Sequence, residues 1–160
     1  MKTPLRRIVL IGENIELRIV SLVVRCREVA EDVVVFDTGS TDETVQLAGE
    51  VQSRVVEYNG DLTPQHLAKA AVSASLDDGL TLFLPISPMW KMAELPLSVN
   101  RAREGWDIHY LYREQPGTNA LEPMVLANSS MGHLIASAAG LQHLAQLPDD
   151  ATTDDVSDEV

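Results

Sequence analysis

Polar residues of the types that bind ligands follow a short apolar run in the first third of the chain. Val33 to Phe36 is a β-branched and aromatic run, which predicts a buried strand. The turn that follows it reads Asp37-Thr38-Gly39-Ser40-Thr41-Asp42. α/β proteins bind ligands at the carboxyl ends of parallel strands, where the free N–H groups of the next helix also point. The spacing therefore predicts a site for an anion or a ligand hydroxyl, with Asp37 facing it.

The residues around this turn predict a regular alternation of strands and helices. Apolar runs predict strands at residues 8–11, 33–36, 54–58 and 80–84. Helical spacing and capping residues predict helices between them, at residues 15–30, 41–52 and 64–76. Ser40 and Glu43 form a capping box, which predicts that the second helix begins at this point. This order predicts a three-layer α/β/α domain with a mainly parallel sheet.

The second half of the chain has weaker patterns. They predict a short helix at 97–104, a strand at 107–113, a turn at 115–119, a strand at 122–127 and a helix at 131–147. The last residues are almost wholly acidic or small, and they offer no apolar face to bury. We therefore expect a single α/β domain over residues 1–147, followed by a disordered acidic tail over 148–160.

The charge of the chain excludes several classes of partner. It has 12 Lys and Arg against 24 Asp and Glu, and its net charge of −12 argues against binding to nucleic acid or to anionic membranes. Cys26 is the only cysteine, so an intrachain disulfide is excluded. The apolar run after Arg6 and Arg7 ends by Gly12, which is too short for a signal-peptide core, and no segment has the length of a membrane span. We therefore expect a cytoplasmic protein.

The turn after the second predicted strand resembles the Asp-x-Gly-Ser-Thr-Asp motif of the family 2 glycosyltransferases, which have the GT-A fold and use nucleotide sugars. Members usually end their first strand in Ile-Pro-x-x-Asn-Glu, and this chain has Leu10-Ile11-Gly12-Glu13-Asn14-Ile15 at that place. Asn14 matches the motif, whereas Ile11 replaces its proline, and Thr38 stands where many members have a second aspartate. The resemblance covers about the first half of the chain, and it implies a GT-A-like (nucleotide-diphospho-sugar transferase) fold.

The resemblance also implies a nucleotide site at the carboxyl ends of the first two strands. In the family, the loop after the first strand and the aspartate that ends the second hold the nucleobase and the ribose. The residues implied here are Gly12, Glu13, Asn14, Asp37, Thr38, Gly39, Ser40 and Asp42. Structural roles are also open for two of these residues. Asn14 could cap its helix, and Asp37 could hold its turn together.

The metal site of the family has no counterpart in this sequence. Members carry Leu-Asp-x-Asp at the end of the fourth strand, and these carboxylates bind the divalent cation that bridges the diphosphate. Pro85 and Ser87 stand in their place, and neither offers an anionic oxygen to Mg²⁺ or Mn²⁺. Asp77 and Asp78 come before the strand and fit a turn. We therefore expect no metal site and no certain cofactor, with Lys69 as the nearest substitute cation.

A general base for sugar transfer is not identifiable, and the catalytic residues are unknown. The acidic candidates are Glu104, Asp107, Glu114 and Glu122, each of which also fits a solvated surface position. The histidines His66, His109, His133 and His143 lack the close spacing of a zinc site. Trp90 and Trp106 could line an acceptor groove, although large aromatic residues more often pack in a core.

Three functions remain open for such a chain. The first is a glycosyltransferase-like protein that binds a nucleotide or nucleotide sugar but has lost metal-dependent catalysis. The second is an active glycosyltransferase that transfers a hexosyl group with an atypical phosphate site. The third is a non-catalytic interaction module of a larger glycosylation assembly. Partners in the last case would be a complete glycosyltransferase or a second copy of the chain.

The excess of carboxylates over lysines resembles proteins of salt-loving organisms and predicts a stability that depends on salt. Only Lys2, Lys69 and Lys91 are lysines. Repulsion among unbalanced carboxylates is screened as the Debye length shrinks to about 3 Å near 1 M salt. We expect the melting temperature, measured by circular dichroism, to rise from dilute buffer to molar KCl. A melting temperature that stays flat or falls would contradict the halophilic interpretation.

Overall fold

The computed structural model describes residues 4–88, 90–112 and 131–149. The strands in these ranges form one sheet, in the order β3-β2-β1-β4-β6-β5. The strands are β1 Arg7–Gly12, β2 Asp32–Asp37, β3 Arg54–Glu57, β4 Thr81–Pro85, β5 Ile108–Tyr112 and β6 Met131–Ala136. The helices are α1 Ile19–Arg27, α2 Thr44–Glu50, α3 Pro64–Ser73, α4 Leu95–Ala102 (after a 3-10 turn at Met92–Glu94) and α5 Ala138–Ala145. None of the helices in this part of the chain is long and apolar enough to cross a bilayer.

The first four strands are parallel, as the alternation of strands and helices predicts. β1 lies between β2 and β4, and β3 extends the sheet beyond β2. β6 is antiparallel to both β4 and β5, so the sheet becomes mixed in its second half. Apolar runs such as Val33–Phe36 are buried because helices cover both faces of the sheet.

Alternate side chains of the strands pack into two separate layers of core. Ile8 and Leu10 of β1 point into the layer with α1, α2 and α4. Val9 and Ile11 point into the opposite layer, with α3 and α5. Cys26 lies in the first layer, where burial raises the pKa of its thiol to about 12. The α/β/α prediction is therefore confirmed, and the thiol is a buried core group.

The prediction of a helix over residues 131–147 is wrong in its first half. Residues 131–136 form β6, and α5 begins only after Ser137, whose hydroxyl accepts a hydrogen bond from the Gly140 amide at 3.0 Å. Leu134, Ile135 and Ala136 fit either pattern by their apolar character. These residues form a strand because they pair with β4 on one side and with β5 on the other. The pairing satisfies the backbone hydrogen-bonding groups of both neighbouring strands.

The bounds of the other elements differ from their predictions by a few residues. α1 begins at Ile19, four residues later than predicted, because the Ile15 amide donates to Thr44 Oγ1 at 2.9 Å and residues 15–18 form a turn. The predicted helix at 97–104 is α4, and the predicted strand at 107–113 is β5. Three predictions lie wholly or partly outside the described residues: the turn at 115–119, the strand at 122–127, and residues 150–160 of the predicted tail. Asp149, at the start of that tail, binds the Lys69 ammonium.

Two helical glycines make a matched test of this packing. A Cβ at Gly140 would lie 2.0 Å from the Asp107 carbonyl oxygen, whereas a Cβ at Gly49 would meet nothing within 4 Å. Gly140→Ala should therefore lower the free energy of unfolding by about 1–3 kcal/mol or more. Gly49→Ala should raise it by about 0.5–1 kcal/mol, because alanine favours the helix. Urea unfolding measures both. Equal effects of the two substitutions would contradict the close approach of α5 to β5.

Candidate functional site

The loops after β1 and β2 lie side by side at the carboxyl edge of the sheet. The Thr38 amide donates to the Gly12 carbonyl at 3.1 Å, which extends the β1–β2 pairing by one step. The Thr38 hydroxyl donates to the Glu13 carboxylate at 3.3 Å. The structure therefore brings the residues of both loops together, as the sequence predicts for parallel neighbours.

Asn14 joins the two loops directly. Its backbone amide donates to Ser40 Oγ at 3.0 Å, and its side-chain carbonyl accepts from the Thr41 amide at 2.8 Å. Its φ of 53° is in the left-handed region, which asparagine tolerates better than most residues. α1 begins five residues later, so Asn14 is not a cap of that helix. Its role in the structure is to connect one loop to the other.

Asp37 is buried at the base of the turn, with 7% of its surface exposed. One carboxylate oxygen accepts from the Gly39 amide at 3.3 Å and the Ser40 amide at 3.1 Å, and the other accepts from the Ser40 hydroxyl. Gly39 has a φ of 131°, which favours glycine at this position. Asp37 therefore holds its own turn together. A carboxylate has about four acceptor positions, so one remains beyond these three bonds.

Asp42 shapes the start of α2. Its carboxylate accepts from the Thr44 amide at 2.9 Å, from the Thr44 hydroxyl at 2.5 Å and from the Glu16 amide at 3.3 Å. Burial by itself would raise the pKa of Asp42, but the hydrogen bonds from Thr44 and Glu16 outweigh it and hold the pKa below its usual value. Asp42 is therefore a charged acceptor that ties α2 to the loop after β1.

The predicted capping box of Ser40 and Glu43 is wrong. α2 begins at Thr44, and its first turn has no side-chain cap from residue 43. The Ser40 hydroxyl donates to Asp37 and accepts from Asn14. Because Asp37 lies three residues earlier and offers a stronger, charged acceptor, it takes the hydroxyl that a capping box needs.

The loop after β4 closes the other side of the β1 loop. The Ile86 amide donates to the Ile11 carbonyl at 2.7 Å, and a Cβ on Gly12 would lie 2.9 Å from the Ile86 carbonyl oxygen. Gly12 is therefore required for this close approach. Pro85 ends β4, and the described residues contain no group of three or more His, Cys, Asp or Glu side chains arranged for a metal ion. Asp78 lies at the other end of β4, where it binds Arg7 at 2.6 Å.

A cleft of about 380 Å³ lies between the loops after β1 and β4. Glu13 and Asn14 line one side, Ile86 and Pro88 line the other, and Arg18 completes the wall. Sequence reasoning did not select Arg18. Its position one helical turn after Asn14, at the entry to α1, is the only local signal that could have identified it.

Arg18 ties α1 to the loop after β4. Its guanidinium donates to the Ser87 carbonyl at 2.9 Å and to the Trp90 carbonyl at 2.8 Å. Trp90 itself is 2% exposed and belongs to the core layer of α1 and α4, so its indole does not line a groove. Trp106 packs partly buried against the same layer.

The remaining sequence candidates lie away from this edge. Lys69, on α3, donates to Asp149. The rings of His109 on β5 and His133 on β6 lie 5.2 Å apart between centroids and are tilted by 43°. Burial, with the charges of His109 and Arg101 adding to it, lowers the pKa of His133 to about 4.

The acidic candidates are also engaged elsewhere. Glu104 pairs with Arg101 at 3.2 Å, and Asp107 accepts from the Ser137 hydroxyl at 3.0 Å. Glu114 and Glu122 lie outside the described residues. The contacts of Glu104 and Asp107, the two acidic candidates among the described residues, therefore do not involve the two loops.

The fold is shared with solved nucleotide-sugar and nucleotidyl transferases. Glucosyl-3-phosphoglycerate synthase from Mycobacterium tuberculosis in complex with UDP is 21% identical, with a TM-score of 0.51 over 83% of this chain and 57% of that one. The same enzyme with Mn²⁺, UDP and glucosyl-3-phosphoglycerate is 20% identical, with a TM-score of 0.50 over the same shares. A 4-diphosphocytidyl-2C-methyl-D-erythritol synthase is 14% identical, with a TM-score of 0.54 over 96% of this chain and 84% of that one.

These likenesses define the class of fold. At such identities they show the fold alone, which is that of the GT-A-like nucleotide-diphospho-sugar transferases. No protein-family model and no curated protein matches the chain. The chain spans 57% of the length of the mycobacterial synthase.

Two substitutions at Asn14 test its connecting role. Asn14→Ala removes the bond to Thr41 and places alanine in a left-handed conformation, so the free energy of unfolding should fall by about 1–3 kcal/mol. Asn14→Gly removes the bond without the backbone cost, so it should lose only about 0.5–1.5 kcal/mol. Urea unfolding gives both values. A glycine variant as stable as the wild type would show that the bond between the loops contributes nothing.

Proposed function

We propose that this protein binds a nucleotide or nucleotide sugar at the carboxyl ends of β1 and β2, and that it does not carry out metal-dependent sugar transfer. The residues proposed to form the nucleotide site are Gly12, Glu13, Asn14, Asp37, Thr38, Gly39, Ser40 and Asp42. The proposal rests on the combination of their sequence motif with the fold in which they lie.

The direct connection of the two loops through Asn14 is the observation that carries the proposal. The hydrogen bonds of Asn14 to Ser40 and Thr41 hold the β1 loop against the turn at Asp37, and Glu13 and Asn14 of the β1 loop line the cleft. A site prepared in this way binds a ligand at a low cost in conformational entropy. The remaining acceptor position of Asp37 suits an N–H group of a base or a hydroxyl of a ribose.

The fold supports the same class of ligand. The mycobacterial synthase that shares it is described in complex with UDP, and in a further complex with Mn²⁺ and UDP. Because the identity is low, these ligands are a guide to the chemistry of the site and not to its specificity.

The end of β4 supports a loss of metal-dependent catalysis. A divalent cation offsets the charge that develops on a departing nucleoside diphosphate, and it needs oxygen ligands of negative charge. Pro85 and Ser87 offer none at this edge. An active transferase with an atypical phosphate site is the second candidate, and the intact turn from Asp37 to Asp42 favours it.

Calorimetry with nucleotides tests the binding site. UDP, GDP, TDP and their glucose conjugates should be titrated at high salt, with and without Mn²⁺. Asp37→Ala should weaken binding by about 1–3 kcal/mol if Asp37 makes a buried hydrogen bond to the ligand. Asp107→Ala is the matched control, because it removes an exposed carboxylate at the opposite edge of the sheet. Equal affinities in the two variants would place the ligand elsewhere, or show that Asp37 is structural only.

The same samples test the loss of catalysis. Release of nucleoside diphosphate from each nucleotide sugar should stay near background with or without Mn²⁺, and Mn²⁺ should not strengthen binding. Metal-dependent release at ordinary enzymatic rates would refute this part of the proposal and leave nucleotide binding intact.

A further inference from the structure

We propose that Arg18 supplies the single positive charge that faces a ligand phosphate in this cleft, so that the site prefers a nucleoside monophosphate to both the nucleoside and the nucleoside diphosphate. The inference rests on the proposed function and names its ligand class. It follows from the position of Arg18, its hydrogen bonds and the charges around it.

Arg18 is the one cation among the residues that line the cleft. Glu13 is the one anion in that lining, on the side of the β1 loop. The other nearby basic residues of α1, Arg25 and Arg27, are in its last turn, and they line two different clefts. Lys69 is engaged by Asp149 on the opposite helical layer. Among the residues that line the cleft, a phosphate would therefore meet the positive charge of Arg18 alone.

Two hydrogen bonds hold the Arg18 guanidinium in place, and they leave its other N–H donors unused. A guanidinium has five N–H donors, and the Ser87 and Trp90 carbonyls use two of them. The carbonyls are neutral acceptors, so these two hydrogen bonds do not neutralise the positive charge of Arg18. The remaining donors of the planar guanidinium suit a pair of oxygens on a phosphate. Because the bonds to the β4 loop already fix the side chain, a phosphate would bind with little further loss of side-chain entropy.

The carboxylates at the same edge limit how much negative charge the site accepts. Glu13, Asp37, Asp42 and Glu43 all belong to the two loops, and Asp42 is held charged by its hydrogen bonds. One phosphate can pair with Arg18. A second phosphate adds negative charge in a cleft whose lining already holds the Glu13 carboxylate and has no cation besides Arg18. The balance of charge therefore favours a ligand with one phosphate over a ligand with none, and also over a ligand with two.

The test is calorimetry of the full chain with uridine, UMP and UDP in the absence of metal, repeated with the cytidine series. UMP should bind tightest, by about tenfold or more over uridine, which is the effect of a charged hydrogen bond. Arg18→Gln should remove this advantage while leaving the affinity for uridine within about twofold. Arg18→Lys should keep part of it, because lysine retains the charge. Arg27→Gln, an equal charge change at an exposed position of α1, should leave both affinities unchanged.

The outcomes separate this inference from the proposed function. If Arg18→Gln weakens uridine and UMP equally, Arg18 only holds the β4 loop and the inference is wrong. If UDP binds tightest to the wild type, the proposed charge limit is wrong, although nucleotide binding stands. If none of these ligands binds, the inference is wrong, and the proposed function is decided separately by the titrations with GDP, TDP and their glucose conjugates.

Discussion

The close approach of β1 to the loop after β4, at Gly12, is the constraint on which the site depends. β1 is the central parallel strand, with β2 on one side and β4 on the other. A side chain at residue 12 would collide with the Ile86 carbonyl oxygen, 2.9 Å from the position of its Cβ, and would force the loops apart. The loops after β1 and β4 approach each other this closely because this residue has no side chain. Asn14 and Arg18 then fasten the β1 segment to its two neighbours.

The carboxylates at this edge have a structural role, whether or not a ligand binds. Asp37 and Asp42 each accept hydrogen bonds from the backbone of their own turn, which lets a chain with a net charge of −12 bring several acidic groups together. The same groups make the edge unfavourable for a polyanion unless a cation intervenes. In the enzymes whose motif the sequence resembles, a divalent metal supplies this positive charge. Among the residues that line the cleft at this edge, the cation is Arg18.

The parallel half of the fold could be predicted because each of its strands contains an apolar run, as at Val33–Phe36, and turn residues separate the strands from the helices. The strand at residues 131–136 could not be predicted, because Leu134 and Ile135 suit a helix or a strand. Only their pairing with β4 and β5 determines that they form a strand. The capping box failed for a related reason: Ser40 has the right local spacing, but Asp37 takes its hydroxyl. Arg18 escaped sequence reasoning because its partners are backbone carbonyls, 69 and 72 residues away, which carry no side-chain signature.

The most direct test of the account is the change in backbone amide chemical shifts of the ¹⁵N-labelled protein during titration with UMP. The account predicts that the largest changes fall in the loops after β1 and β2, at residues 12–16 and 38–42, with further changes at Arg18 and in the loop after β4. Saturable changes confined to α3 and α5, or no change at millimolar nucleotide, would contradict it.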